Sequence, residues 1–263
     1  MRVLLLLLLL ATPALAESVM IPAGEVTLRA EYERPSGPQR TAIVALHGCG
    51  GPYPARERFW RDKLVPAGHA MVLPDSFTSR ALGSQCREPS RTISPGTGRR
   101  QDAYASAAWI AAQPGTPPGG VVLFGWSNGG STAIAAANDP PPGLIRGIIA
   151  FYPGCRAWAE RANWRPAAPM LILMGADDDW TPPEPCQRLA ARYPDMIRLV
   201  LYPGAYHDFD APNLPVTTRT GLANTANGVG TAHIGTNQAA QADAQRQVIA
   251  FLAQLPPLAS APK

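Results

Sequence analysis

The chain has 263 residues and a formal net charge of +4. Its basic residues are nearly all arginines spread along the sequence, with Arg99 and Arg100 the only adjacent pair, so the clustered basic patch of a nucleic-acid-binding protein is absent. A chain of this length could form two small domains, but one large α/β domain is common at this size.

The first residues predict a secretory signal peptide. Arg2 gives a basic start, residues 3–10 are an unbroken apolar run, and Ala14-Leu15-Ala16 fits a small-residue cleavage site. The alternative is a membrane anchor, but the run is shorter than the roughly 20 residues that a spanning helix needs. We therefore expect residues 17–263 to form a single domain that is exported to the periplasm or beyond and is not held in the membrane.

After this leader, apolar strands alternate with helices. Such a pattern predicts a mostly parallel sheet covered by helices on both faces, an α/β fold. Residues 208–236 show no clear period and could form a loop over a site at the carboxyl ends of the strands. Strands are expected at 26–32, 41–46, 70–73, 121–124, 144–151, 170–174 and 197–201, and helices at 57–64, 100–112, 128–137 and 238–255.

Residues 125–129 read Gly-Trp-Ser-Asn-Gly and lie between a predicted strand and a predicted helix. This context for G-x-S-x-G is typical of a nucleophile elbow, a tight turn that exposes a serine hydroxyl. Ser127 is therefore the predicted nucleophile, and the alternative is an inert serine in a glycine-rich turn. Two backbone N–H groups are expected to stabilise an oxyanion: that of Asn128, and that of Cys49 in the glycine-rich turn after strand 41–46.

A serine nucleophile needs a histidine as its base. His207 directly follows the last predicted strand, where the base belongs if the order along the chain is Ser, Asp, His. His233, in the next segment, is the alternative. His47 and His69 precede the serine, and we expect them to be structural.

A carboxylate should orient that histidine, and it should follow the strand at 170–174. Asp177, Asp178 and Asp179 compete for this role. Asp178 is the predicted acid because it fits the spacing G-x-x-D-x-x-x-P that begins at Gly175 and ends at Pro182.

These motifs resemble those of the dienelactone hydrolase family of α/β-hydrolases, in a secreted branch that uses serine. The resemblance implies the α/β-hydrolase fold and hydrolysis of a small ester or lactone by acyl transfer, without a cofactor or metal. Founding members of the family use a cysteine nucleophile and carry an acidic residue where this chain has His47-Gly48-Cys49, so a thiolate mechanism is not expected. The resembling stretches cover most of the mature chain: residues 46–51, 75–77 with Arg80, 125–130, 175–182 and 202–207.

Four further side chains are candidates for binding substrate. Arg80 could hold a substrate carboxylate, the alternative being a salt bridge to an aspartate such as Asp75 or Asp102. Trp126, Trp180 and Tyr206 flank the triad positions and could line an apolar pocket, the alternative being ordinary core packing.

The chain has four cysteines, and an even number in an exported protein favours two disulfides. The sequence alone leaves three connectivities open. In the sheet of the resembling family, Cys49 and Cys86 follow neighbouring strands, as do Cys155 and Cys186. The resemblance therefore implies the bridges Cys49–Cys86 and Cys155–Cys186.

The predicted protein is a carboxylic-ester hydrolase whose partner is a small-molecule ester or lactone. One alternative is a peptidase or amidase on the same fold, although the chain has no large extra domain to select peptides. The other alternative is a non-catalytic binding protein, against which the presence of serine, aspartate and histidine together argues.

Overall fold

The computed structural model describes residues 16–255, so the predicted leader lies outside the described residues except for Ala16. In this described range, eight strands form one mixed sheet: β1 (Glu17–Ala23), β2 (Val26–Glu33), β3 (Ile43–Leu46), β4 (Met71–Asp75), β5 (Val121–Trp126), β6 (Ile145–Phe151), β7 (Met170–Gly175) and β8 (Ile197–Tyr202). Their order in the sheet is β1-β2-β4-β3-β5-β6-β7-β8. Strand β2 is antiparallel to both neighbours, and all pairs from β4 to β8 are parallel. The predicted mostly parallel sheet is confirmed.

In residues 16–255, six α-helices accompany the sheet: α1 (Pro54–Leu64), α2 (Gly98–Ala111), α3 (Asn128–Ala136), α4 (Arg156–Ala159), α5 (Glu184–Arg192) and α6 (Gln238–Gln254). Helices α1 and α6 share one face. Trp60 of α1 packs on Phe151, and Phe251 of α6 lies beside Gly147. Residues 147 and 151 of β6 point the same way because side chains alternate along a strand. Helices α2 and α3 pack against each other and against β3 and β5.

The central strands β3, β5 and β7 are buried along their whole length. This explains why they appear in the sequence as continuous apolar runs, since both of their faces are covered. Between the sheet and α1, the rings of Trp60, Phe124 and Phe151 pack with centroids 5.1–5.3 Å apart.

Among the elements not predicted are three strands and the short helix α4. Strand β1 is an edge strand in which only Ile21 is buried, so its sequence lacks the apolar pattern of a core strand. The 208–236 segment, expected to be irregular, contains a two-stranded antiparallel sheet of β9 (Thr217–Thr220) and β10 (Thr231–Ile234). Every residue of β9 is exposed, so pairing with β10 and not burial defines this strand.

Candidate active site

Ser127 occupies a sharp turn between β5 and α3. Its φ is 53°, an uncommon value for a residue with a side chain, and its N–H donates to the Phe151 carbonyl at 2.9 Å. The glycines around it are needed for space: a Cβ at Gly129 would overlap the Leu46 carbonyl oxygen, and one at Gly125 would overlap the backbone of Gly129. The turn can therefore form only if both positions are glycine, as the elbow motif requires.

The structure brings together the three residues predicted as the triad. His207 Nε2 lies 2.9 Å from Ser127 Oγ, and His207 Nδ1 lies 2.7 Å from Asp178 Oδ2. A carboxylate can only accept, so the proton of the neutral imidazole sits on Nδ1 and leaves Nε2 free to accept from the serine hydroxyl. The three residues are buried and come from the carboxyl ends of β5, β7 and β8.

Backbone hydrogen bonds hold the Asp178 carboxylate in place. Its Oδ1 accepts from the N–H groups of Trp180 and Thr181, each at 2.9 Å. The Thr181 hydroxyl lies 3.0 Å from Oδ2 and 2.9 Å from the Tyr152 carbonyl oxygen. Oδ1 is thus saturated by the turn, and Oδ2 is aimed at the histidine.

The environment of His207 favours its protonated form. Burial alone would lower its pKa, but the charge of Asp178 and the hydrogen bond to it outweigh burial and raise the pKa above the ordinary value. The Tyr152 and Trp180 rings flank the imidazole, with centroids 4.5 and 4.8 Å away. The imidazole is therefore packed against two aromatic rings.

The rival histidine has a different partner. His233 in β10 donates its backbone N–H to Asp179 Oδ1, and its Nδ1 lies 2.8 Å from Asp179 Oδ2. Its ring packs against Tyr206 and is partly exposed. Asp179 thus connects the 208–236 segment to the loop of Asp178, whereas the hydrogen-bond partner of Ser127 is His207.

The turn after β3, residues 47–51, lies against the nucleophile. A Cβ at Gly48 would sit 3.6 Å from Ser127 Cβ. His47 holds this turn: its Nε2 accepts from the Ser76 N–H at 3.1 Å, and its Nδ1 lies 2.8 Å from the Gly48 carbonyl oxygen. Burial and the nearby Arg99 charge keep the pKa of His47 well below its usual value, so it is neutral and structural, and its 3.8 Å approach to Asp75 is not an ion pair.

Sequence reasoning missed Arg99, which joins the two turns expected to stabilise an oxyanion. It is fully buried, and its Nη1 donates to Asn128 Oδ1 at 2.5 Å while Nη2 donates to the His47 carbonyl at 2.8 Å. A signal existed: Arg99, Asp102 and Ala103 are spaced as one buried helical face.

A second missed network lies behind the triad, around the fully buried Asp210. Its carboxylate accepts from Trp60 Nε1 at 2.7 Å, Trp126 Nε1 at 2.9 Å and the Tyr152 hydroxyl at 2.5 Å. Arg56 in turn donates to the Tyr152 hydroxyl at 3.0 Å. Because the Tyr152 ring also packs against His207, this network holds a ring that contacts the imidazole.

Two cavities meet at Ser127. The larger, of about 730 Å³, is lined among others by Arg91, Asn128, Arg156, Trp158 and Thr181. The smaller, of about 360 Å³, is lined among others by Gly48, Tyr53, Arg56, His207 and Arg219. Cys49, Ser127 and Trp180 line both.

Of the predicted substrate-binding residues, only Trp180 lies in these cavities. Arg80 binds Asp102 through two hydrogen bonds of 2.7 and 2.9 Å, which is the salt-bridge alternative. Trp126 is fully buried on Asp210, and Tyr206 packs against the His233 ring. In the described part of the chain, none of these three lines either cavity, so they are not retained as substrate-binding candidates.

Both disulfides lie beside the site. Cys49 is joined to Cys86 and Cys155 to Cys186, with Cα atoms 4.9 and 5.1 Å apart, which is the pairing that the resemblance implies. The 208–236 segment packs on the first bridge and on Trp180 through Leu214, Leu222, Ala232 and Ile234.

Within residues 16–255, no group of three or more His, Cys, Asp or Glu side chains is arranged to hold a metal ion. None of the helices in the same range has the length and apolar character that crossing a bilayer requires.

The strand order, together with a serine on the turn between a central strand and its helix, defines an α/β-hydrolase. The model of the dienelactone hydrolase family matches residues 28–255. The chain therefore belongs to the dienelactone hydrolase family and is a hydrolase by family and fold.

Three similar proteins share 18%, 21% and 25% identity with this chain. A dienelactone hydrolase-like promiscuous phosphotriesterase from metagenomic libraries superimposes with a TM-score of 0.72 at 18% identity, over 93% of this chain and 99% of that one. Thermogutta terrifontis esterase 2, in a form phosphoramylated by tabun, gives a TM-score of 0.65 at 21% identity, over 94% and 97% of the two chains. An uncharacterized protein of Mycobacterium tuberculosis is 25% identical over 227 residues, 75% of this chain and 77% of that protein. The two structural likenesses show a shared fold and not a shared substrate.

Proposed function

We propose that the protein is a serine hydrolase that cleaves a carboxylic ester or lactone by acyl transfer. The observation that carries this proposal is the continuous hydrogen-bonded chain from Ser127 through His207 to Asp178. In this arrangement a hydroxyl faces a basic nitrogen while a carboxylate fixes the opposite nitrogen, which is the requirement for an activated serine.

In the first step, His207 Nε2 takes the proton of Ser127 as Oγ attacks the substrate carbonyl carbon. Asp178 stabilises the imidazolium that forms. The imidazolium then protonates the leaving alcohol, and an acyl-enzyme remains on Ser127. In the second step, His207 takes a proton from water, whose oxygen attacks the acyl carbon. The bond between Ser127 Oγ and the acyl carbon then breaks, the imidazolium returns its proton to Oγ, and the acid is released.

The backbone N–H groups of Cys49 and Asn128 are the proposed oxyanion donors. Asn128 is the first residue of α3, and the first N–H groups of a helix have no partner within that helix. Cys49 lines both cavities beside Ser127. Donors of this kind stabilise the charge that develops on the carbonyl oxygen in the transition state.

We also propose that the protein acts as a single exported domain comprising residues 17–263. The leader-like residues 1–16 support export, and the two disulfides are compatible with an oxidising compartment such as the periplasm or the outside of the cell.

Hydrolysis of p-nitrophenyl acetate tests the proposed chemistry. We expect turnover, and covalent labelling by a fluorophosphonate probe that mass spectrometry maps to Ser127. Ser127→Ala should lower kcat by about four orders of magnitude or more. Labelling of another residue, or wild-type turnover in Ser127→Ala, would refute the proposal.

A histidine pair identifies the base. His207→Ala should lower kcat as severely as the serine variant, whereas the matched change His233→Ala should keep most of the activity because His233 is bound to Asp179. The reverse result would make His233 the base. Circular dichroism of both variants checks that they remain folded.

A further inference from the structure

The two cavities at Ser127 differ in which triad residue they contact. His207 lines the smaller cavity and, among the described residues, does not line the larger one. Ser127 lines both. An ester bound with its carbonyl carbon at Ser127 Oγ therefore has one part beside the histidine and the other part away from it.

The chemistry of acyl transfer decides which of these two parts is the alcohol and which is the acyl group. When the tetrahedral intermediate collapses, the imidazolium must give its proton to the oxygen of the leaving alcohol. That oxygen has to lie within hydrogen-bond reach of His207 Nε2. The alcohol part consequently occupies the smaller cavity, of about 360 Å³, and the acyl part the larger cavity, of about 730 Å³.

The larger cavity is positively charged. Arg91, Arg156 and Arg161 line it, against a single acidic residue, Glu160. Arg91 is the most enclosed of these arginines, and burial lowers its pKa. Its Nε donates to the Gln85 carbonyl at 3.2 Å, but within residues 16–255 no carboxylate lies at ion-pair distance from it. A partly buried charge without a counter-charge favours an anionic ligand.

The same cavity also has apolar walls. Trp158 and Trp180 are both buried and both line it, with Trp158 in contact with Gly96 on the opposite loop. Rings of this size suit a bulky or planar group, while the arginines suit a carboxylate on it.

The structure assigns the substrate class: esters of a bulky acid that carries a second, free carboxylate, with the acyl group in the larger cavity and a small alcohol in the smaller one. This inference rests on the proposed ester hydrolysis and specifies its substrate. It favours open-chain esters over lactones, because the two parts of the substrate occupy separate cavities.

Matched esters test whether a carboxylate on the substrate raises kcat/KM, and whether it does so on the acyl part or on the alcohol part. p-Nitrophenyl 4-carboxybenzoate is compared with its neutral isostere, p-nitrophenyl 4-carbamoylbenzoate, so that the charge lies on the acyl part. The acetates of 4-hydroxybenzoate and 4-hydroxybenzamide place the same charge on the alcohol part. Each kcat/KM is divided by the rate of hydroxide-catalysed hydrolysis. We expect the carboxylate to raise kcat/KM about tenfold on the acyl part and not on the alcohol part.

Arginine variants locate the effect. In Arg91→Gln and in Arg91→Gln combined with Arg156→Gln, the ratio of anionic to neutral acyl ester should fall toward one. Arg34→Gln is the control with the same charge change, since Arg34 is exposed just beyond the end of β2 that pairs with the start of β4, opposite the site. It should keep the wild-type ratio.

The outcomes separate the two proposals. If p-nitrophenyl acetate is cleaved but the charged and neutral acyl esters react alike, or the charge helps on the alcohol part, the substrate assignment is overturned and the serine hydrolase stands. An equal fall of the ratio in Arg34→Gln also overturns the assignment, since it would reflect overall charge. If no ester is cleaved, both proposals fail.

Discussion

Arg99 places a positive charge in the interior, and in the described part of the chain no carboxylate lies at ion-pair distance from it. Both of its terminal nitrogens bind neutral oxygens, one on each turn that carries a proposed oxyanion donor. Burial lowers its pKa to about 9, which still leaves the guanidinium charged at neutral pH. We therefore regard Arg99 as a positioning residue that fixes the spacing of the Cys49 and Asn128 N–H groups and adds a favourable field for the oxyanion.

Arg99→Met should lower kcat by about tenfold to a hundredfold with little change in KM, since the donors act chiefly in the transition state. Arg80→Met is the control, because it also removes a guanidinium, but one bound to Asp102. Steady-state kinetics on p-nitrophenyl acetate, with thermal melts of both variants, make the comparison. Equal kcat values for the two variants would limit Arg99 to a structural role.

The raised pKa of His207 sets the pH dependence. The proposed base must be neutral, so kcat/KM should fall as the pH drops through the pKa of the free enzyme. Because Asp178 raises that pKa, the midpoint should lie above about 6.5, the ordinary histidine value. Profiles from about pH 5 to pH 9 measure it.

The matched variant for this profile is Asp178→Asn. It removes the charge that raises the pKa, so the acid limb should move to lower pH. The turnover number should also fall, by about four orders of magnitude, because the histidine tautomer is no longer fixed. An acid limb that stays in place would show that a group other than His207 titrates.

At the scale of elements, the turn after β3, the 208–236 segment and the Cys49–Cys86 bridge form one unit. The bridge holds the residue whose N–H is a proposed oxyanion donor, and the segment packs on it. The Cys155–Cys186 bridge instead links the start of α4 to α5, in the part of the chain after β6 and β7. The two bridges close loops of similar length, with sequence separations of 37 and 31.

Removing either bridge with paired Cys→Ser changes should lower the free energy of unfolding by about 2–4 kcal/mol. Only the loss of the Cys49–Cys86 bridge should also lower kcat, because the backbone N–H of residue 49 is then no longer held in place relative to Ser127. Urea unfolding and kinetics on both double variants test this. If both variants kept the wild-type kcat, the first bridge would have no part in placing the donor.

At the scale of the whole molecule, the sequence predicts those features that depend on position along the chain. Ser127, Asp178 and His207 each follow an apolar strand of the parallel part of the sheet. Because parallel strands bring their carboxyl ends together, the candidate triad is predictable. Local patterns also locate the strands of the core to within a few residues.

Features that depend on which side chains converge after folding are not predictable in this way. Arg80 and Asp102 are 22 residues apart, and only the packing of α2 decides that they pair. Asp210 meets Trp60 from 150 residues away, a contact that no local pattern contains. Whether a polar residue is buried depends on which distant segments pack around it, so its burial can be seen only in the folded chain.

The position of β1 at the edge of the sheet affects the order in which parts of the molecule unfold. Among the strands of residues 16–255 it pairs only with β2, and it is mostly exposed. It also lies outside both disulfide links, which join the loops after β3 and β4 and the segments after β6 and β7. Hydrogen exchange in rising urea should therefore show the β1 amides losing protection while ester turnover is unchanged, with β5 exchanging last. Simultaneous exchange of β1 and β5 would exclude such partial opening. The edge of the sheet at β1 is then the part of the molecule that can unfold locally, or carry a fused partner, while ester turnover continues.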